Sequence, residues 1–168
     1  MGTTIIGLVI TLICALPIIL WSLNNYKKKK KKLEILKGLA KDHNCKVGQF
    51  DLTNKILIAT DKSLQKIFHI KWLDEKASIQ VVDMNGVKSC EVNNLSKKSS
   101  NKKYNSGAIE KIELIVKHQD VKKNDIALEF YNIEYDGINL GDELLLAEKW
   151  CNIINRKVES LSKQKTES

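Results

Sequence analysis

At 168 residues the chain has room for one domain of ordinary size plus an appendage, and it carries 28 basic against 20 acidic residues for a formal charge of +8. That excess is local: six lysines fill positions 27–32, and outside them 22 basic residues face 20 acidic ones. With Arg156 as its one arginine, the chain does not read as a nucleic-acid binder, because base-edge and bidentate phosphate contacts favour the planar guanidinium.

Met1 to Tyr26 contains no charged side chain. Within it, Thr3 to Leu23 (TTIIGLVITLICALPIILWSL) gives 21 uncharged residues. As a helix these extend roughly 32 Å, against about 30 Å of bilayer hydrocarbon. Pro17 is tolerated in membrane helices, and Trp21 and Tyr26 stand where amphipathic rings settle at the headgroups. Lys27, Lys28, Lys29, Lys30, Lys31 and Lys32 follow at once. Positive charge is retained on the cytoplasmic side, so the expectation is a retained signal anchor in the plasma membrane, with the N-terminus outside and the rest inside. A cleaved signal peptide would need its charge before the apolar run, a lipoprotein a small residue where Ile13 precedes Cys14, and a myristoylation site Ser or Thr where Ile6 stands. The lysines also offer attraction to anionic lipid headgroups, at about 1 kcal/mol each.

Residues 27–46 read as a polybasic juxtamembrane helix and linker, with Leu36, Leu39, Ala40 and His43 at helical spacing and Gly38 weakening it. From Val47 the period changes to two. Strands are expected at 47–51, 55–60, 65–72 (Phe68, Ile70 and Trp72 on one face), 78–82 (Ile79 and Val81 on one face) and 87–93, with Asn85-Gly86 as a tight hairpin turn. The polar run 94–107, NLSKKSSNKKYNSG, reads as an exposed loop whose Lys97, Lys98, Lys102, Lys103 and Tyr104 could meet lipid or an acidic partner. Strands follow at 109–117, burying Ile112, Leu114 and Val116, and at 125–132, burying Ile126, Leu128 and Phe130. Asp142 or Gly141 caps a last helix whose stripe is Leu146, Ala147, Trp150, Ile153, Ile154, Val158 and Leu161, and residues 162–168 read as a disordered tail.

The domain plan is therefore an anchor at 1–26, a basic linker at 27–46 and a mainly β (α+β) domain at 47–161: about seven antiparallel strands forming a small barrel or sandwich, capped by a C-terminal amphipathic helix that plugs one end with Trp150. This order of elements resembles the pleckstrin-homology-like fold. The runs LAKDHNC, LEFYN and LLLAEKWCNIIN resemble those of a group of small, single-span, uncharacterised bacterial membrane proteins with a pleckstrin-homology-like cytoplasmic domain. The resemblance implies an anchored β domain and no particular activity. Phosphoinositide-binding members of the fold carry basic residues around the first strand-to-strand loop; here Leu52 to Asn54 are uncharged, with Lys55 beside them.

No nucleotide-binding glycine motif, G-x-S-x-G or H-E-x-x-H occurs. The four cysteines, Cys14, Cys45, Cys90 and Cys151, form no C-x-x-C pair and read as reduced thiols. His43 and Cys45 supply two metal ligands where zinc needs three or four, so no metal and no cofactor is expected. Asp136 to Glu143 lacks calcium-loop spacing and reads as a turn with a helix cap. The functional expectation is a membrane-anchored cytoplasmic interaction or scaffolding module, not an enzyme, with a protein or peptide partner docking at an exposed strand edge or in the groove beside the terminal helix. The alternatives are a small thiol or hydrolytic enzyme using Cys90 or His118, and a carrier of lipid or another small ligand in a hollow barrel.

Overall fold

The computed structural model describes residues 2–74, 76–96, 109–120 and 122–166, without the side chains of 2–15, 18, 19, 21 and 164–166. The chain divides into two compact units, Met1–Lys46 and Val47–Ser168.

The first unit is one α-helix, α1 (Gly2–Asp42), with Pro17 inside it. The expected boundary between anchor and linker is no break in structure: the helix runs through the lysines and through Gly38. Lys, Leu and Glu are good helix formers, and a single interior glycine costs only about 1 kcal/mol. The helix ends where Asn44 takes a left-handed φ of 54°, with Cys45 N–H bonded to Ala40 O (2.9 Å) and Asn44 N–H to Lys41 O (2.9 Å). This pair of bonds closes the last turn as a Schellman motif. Among the described residues no helix is long and apolar enough to cross a membrane. Most side chains of the expected span, Thr3 to Leu23, lie outside the described ones.

The second unit is mainly β, an α+β arrangement of two antiparallel sheets and two helices. Strands β1 (Val47–Leu52), β2 (Ile56–Asp61), β3 (Lys66–Leu73) and β4 (Lys76–Asp83) form a four-stranded sheet in chain order. Strands β5 (Val87–Ser96), β6 (Ile109–His118) and β7 (Ile126–Asn132) form a three-stranded one. All seven expected strands are present. A short helix α2 (Ile133–Asp136) and the long helix α3 (Glu143–Thr166) complete the unit.

Local chemistry explains the connections. Gly48 sits at the register shift of β1, where an added Cβ would lie 2.6 Å from Asp61 O, so only glycine lets the two backbones approach that closely. The β2–β3 turn is organised by Asp61, whose carboxylate accepts from the N–H groups of Ser63, Gln65 and Lys66. Asn85-Gly86 forms the expected turn, Gly86 at φ 85° and Val87 N–H bonded to Met84 O (3.2 Å), but it joins no hairpin. The turn is a corner that carries the chain from one sheet to the other, since β4 pairs with β3 and β5 with β6. Strand β5 continues to Ser96, three residues past its expected end; the remainder of the loop, with Lys97, Lys98, Lys102, Lys103 and Tyr104, lies outside the described residues. Helix α3 begins at Glu143, with Asp142 O taking the first helical bond from Leu146 N–H (2.8 Å), and runs to Thr166 through most of the segment expected as a tail.

The core lies between the sheets and under α3. Ile112, Leu114 and Val116 from β6, Leu128 and Phe130 from β7, and Ala147, Trp150 and Ile154 from α3 are buried together with Ile56, Ile58, Ile67 and Val82. Trp150 is fully buried, and its indole N–H donates to Asp51 Oδ2 (2.8 Å), while Lys149 Nζ holds the same carboxylate (2.7 Å). A buried indole thus keeps its donor satisfied at the edge of β1.

Candidate functional site

On β3 and β4 the face that carries the core is not apolar throughout. The register pairs Ile67 with Val82, His69 with Gln80 and Lys71 with Ser78 on one side of the ladder, because side chains two apart share a face. Ile79 and Val81 share the other side, as expected, with Ile79 exposed, and Gln80 stands across from His69. Strand β7 approaches this polar end. Gln80 Nε2 donates to Ala127 O (3.1 Å), so a side chain of one sheet satisfies a backbone acceptor on the other sheet's edge strand.

Lys71 is the centre of the arrangement, its side chain 3% exposed. Nζ bonds to Glu129 Oε1 (3.0 Å) and Asp136 Oδ2 (2.7 Å), and lies 5.0 Å from the centroid of the Tyr135 ring. Sequence places these partners by a tight return: β7 carries Glu129, then Asn132 caps α2 by accepting from Glu134 N–H (3.1 Å), and the single turn delivers Tyr135 and Asp136 back over β3. Tyr131 Oη donates to Gly137 O (2.6 Å) and fastens the exit. Two flanking lysines complete the cluster. Lys55 bonds to Asp136 Oδ1 (3.0 Å), and Lys111 bridges Glu113 (2.7 Å) and Glu129 (3.3 Å).

The electrostatics follow. Burial pushes the Glu129 carboxyl up, but hydrogen bonds from Tyr135 and Lys71 together with the Lys71 charge outweigh it and leave it below its ordinary value. For Asp136, burial is likewise overcome by the bonds from Lys71 and Lys55. Tyr135 moves the other way, up to about 12, through burial and its hydrogen bond to Glu129. His69 is 1% exposed, its ring 5.5 Å from that of Phe130, and both ring nitrogens are shut off from solvent with the Gln80 side chain and the Glu129 backbone as their polar neighbours. Burial, and next the Lys71 charge, pull it down to about 4, so the imidazole is neutral at pH 7.

An open cleft of about 290 Å³ lies against these groups, lined among others by His69, Lys71, Gln80, Glu113, Glu129 and Tyr135. It offers a rim of charge-paired hydrogen-bonding groups, while the His69 ring nitrogens lie beneath its surface. Among the described residues no group of three or more His, Cys, Asp or Glu side chains could hold a metal ion.

The residues singled out in the sequence fall elsewhere. Trp21, Tyr26 and Lys27–Lys32 all lie on α1; the Trp21 side chain is outside the described residues, Tyr26 and Lys27–Lys31 are exposed, and Lys32 is half-buried. At 100° per residue the six lysines circle the helix, so Lys28 and Lys32 stack one turn apart. Burial, then the Lys28 charge, lowers Lys32 from its ordinary value. Cys90 and His118 are not paired across the ladder: Cys90 stands opposite Val116 and His118 opposite Val87. Cys90 faces α3 instead, where Cys151 Sγ donates to its carbonyl (3.2 Å) and Asn155 takes its N–H (2.8 Å) and gives to its carbonyl (2.9 Å). Burial pushes the Cys90 thiol well up. His43 and Cys45 lie just past the end of α1, in the other unit. Asp136 and Glu143 spend their carboxylates on the two lysines and on Gly141 N–H (2.6 Å).

The cluster around Lys71 was missed by pattern reading. A signal existed in KIFHIKWL, where His69 and Lys71 interrupt an apolar strand on one face, and in LEFYNIEYD, which supplies three acids and two tyrosines within nine residues. No family model matches the chain, and no curated protein or solved structure is significantly similar to it.

Proposed function

We propose that the chain is a single-span protein of the plasma membrane whose second unit acts at the cytoplasmic face as a non-catalytic binding or scaffolding module. The observation that carries the reading is the course of α1: one unbroken helix, Gly2–Asp42, contains both the uncharged run and the lysines. Forty-one residues of helix measure roughly 60 Å, enough to cross about 30 Å of hydrocarbon and hold a lysine collar at its exit. The collar then marks the cytoplasmic side and draws anionic headgroups toward the helix. The second unit fits a pleckstrin-homology-like domain in its order of elements, four strands, a corner, three strands and a closing helix. Tethering such a domain raises its effective concentration toward any protein or peptide near the bilayer.

The alternatives have less support. A thiol enzyme needs an accessible thiolate, and Cys90 is buried with its titration pushed up. A hollow lipid carrier needs an apolar lumen where Trp150, Phe130 and Leu114 pack.

Protease accessibility in cells expressing the full chain, tagged at the C-terminus, tests the reading. The β domain should survive protease added to intact cells and be digested after permeabilisation, with the chain resisting extraction by alkaline carbonate. Digestion in intact cells would reverse the orientation, and release by carbonate would remove the anchor.

A further inference from the structure

We infer that the outer edge of β4 pairs with the same edge of a second copy of this chain, joining the two β1–β4 sheets across a two-fold axis. Every group involved belongs to the second unit, so the inference holds whether or not α1 crosses a membrane.

Among the described residues the two sheets have four edge strands, β1, β4, β5 and β7, and three of these are blunted. On β5, Asn155 holds the N–H and the carbonyl of Cys90. On β7, Gln80 donates to Ala127 O and the His69 ring lies beside the Glu129 backbone. Strand β1 is bent by its register shift at Gly48, and Lys149 and Trp150 hold Asp51 there. Bulges and covering side chains are the devices by which proteins keep strand edges from pairing. Strand β4 has neither: it pairs with β3 over eight consecutive residues without a register shift.

The register says what its free side offers. Met84 N–H bonds to Gln65 O, so the alternate residues Val82, Gln80, Ser78 and Lys76 turn their backbone groups toward β3. Ala77, Ile79 and Val81 then turn theirs outward, and among the described residues none of these groups meets a hydrogen-bond partner. Their side chains share one face, with Ile79 44% exposed. Between Lys76 and Asp83 the run ASIQVV carries no charge and favours strand pairing.

A second copy fits this edge for two reasons. An antiparallel pair of identical strands is its own complement about a two-fold axis, so each contact is made twice. With the axis at Gln80, Ile79 stands opposite Val81 of the second copy as an apolar cross-strand pair. The end carrying Lys76 in one copy then meets the end carrying Asp83 in the other, so opposite charges flank the seam.

The test follows amide hydrogen exchange by NMR in the full chain in detergent micelles, at high and low protein concentration. The Ile79 and Val81 N–H groups should gain protection as concentration rises, while Gln80 and Val82, bonded to β3 throughout, stay unchanged, and the sedimenting mass should move from one copy to two. Ile79→Lys puts a charge on the seam and should weaken the dimer at least about tenfold. Ile79→Pro removes an N–H that the β3–β4 ladder does not use and should abolish it. Retained protection at Gln80 and Val82 shows that the sheet is folded in each variant; should proline disturb β4, Ile79→Lys, at an exposed position, decides. The proposal is overturned if the protein stays monomeric at the highest attainable concentration or if the dimer survives Ile79→Lys. It is equally overturned if Ile79 and Val81 are protected alike at every concentration, which would mean that another segment of the same chain covers the edge.

Discussion

One face of the β1–β4 sheet buries two regions built on opposite rules. Around Ile67 and Val82 it packs against Leu114, Phe130 and Trp150, and stability comes from apolar area removed from water. Two residues further along β3 the same face carries His69 and Lys71, and burial there depends on partners being in place. The apolar region tolerates approximate fits, whereas the polar one is costly as soon as one partner is missing.

The largest effect should come from the apolar side. Trp150→Ala removes the biggest fully buried side chain and leaves Asp51 with Lys149 alone, and is expected to cost about 3–5 kcal/mol in denaturant unfolding. Lys71→Met should cost about 3 kcal/mol, the low end for a broken buried pair, because Glu129 is a fifth exposed and Lys55 and Lys111 remain. The comparison sharpens with Lys71→Met combined with Glu129→Gln and Asp136→Asn. If the cost of the single change is stranded charge, the triple variant recovers most of it. No such recovery is expected from any substitution paired with Trp150→Ala that leaves the cavity empty.

How much of this could be read in advance divides along the same line. The apolar region was legible: Ile112, Leu114, Val116, Leu128, Phe130, Ala147, Trp150 and Ile154 all follow from period two in strands and 3.6 in the helix, and all are buried. Strand β4 was legible in part: Ile79 and Val81 do share a face, but the alternation does not show that Val82, on the side of Ser78 and Gln80, is the residue that enters the core. Periodicity assigns polar residues to water. Here His69 and Lys71 are sheltered by β7 and by the turn of α2, and that proximity, across 58 residues from Lys71 to Glu129, leaves no trace in a local pattern. The corner at Gly86 was hidden for a similar reason, since Asn-Gly chemistry fixes a turn but not which strands then pair.

A pH titration separates the members of the polar region. His69 lies below its ordinary 6.5 in the fold, so the unfolded chain takes up the proton first and stability falls as pH drops from 6.5 toward 4. From pH 7 to pH 5 the loss should be roughly 2 kcal/mol, by the linkage of about 1.4 kcal/mol per pH unit below 6.5. Glu129 and Asp136 act in a lower window. Their values are held down, so their contribution persists through the ordinary carboxylate range and is lost as pH falls through the lowered values. His69→Phe should therefore flatten the stability profile between pH 7 and pH 5 and leave the steeper acid limb intact. A slope unchanged in that variant would assign the upper window to another group.

The smallest predicted effect concerns the far edge of the three-stranded sheet, where α3 does for β5 what Gln80 does for β7. Asn155 reads the backbone of Cys90 as a neighbouring strand would, accepting from its N–H and donating to its carbonyl, so the open edge is capped by an amide side chain. Asn155→Ala should cost about 1 kcal/mol in denaturant melts, because water reaching a half-open edge replaces part of what is lost. The local signature is more telling than the global one: the Cys90 amide should exchange faster with deuterium while Val116, inside the ladder, keeps its protection. Asn155→Asp refines the point, since a carboxylate can still accept from the Cys90 N–H but cannot donate to the carbonyl. Its amide protection should remain near that of the parent while stability falls. Equal exchange in the alanine and aspartate variants would mean that helix packing alone, and not the side-chain cap, shields the edge.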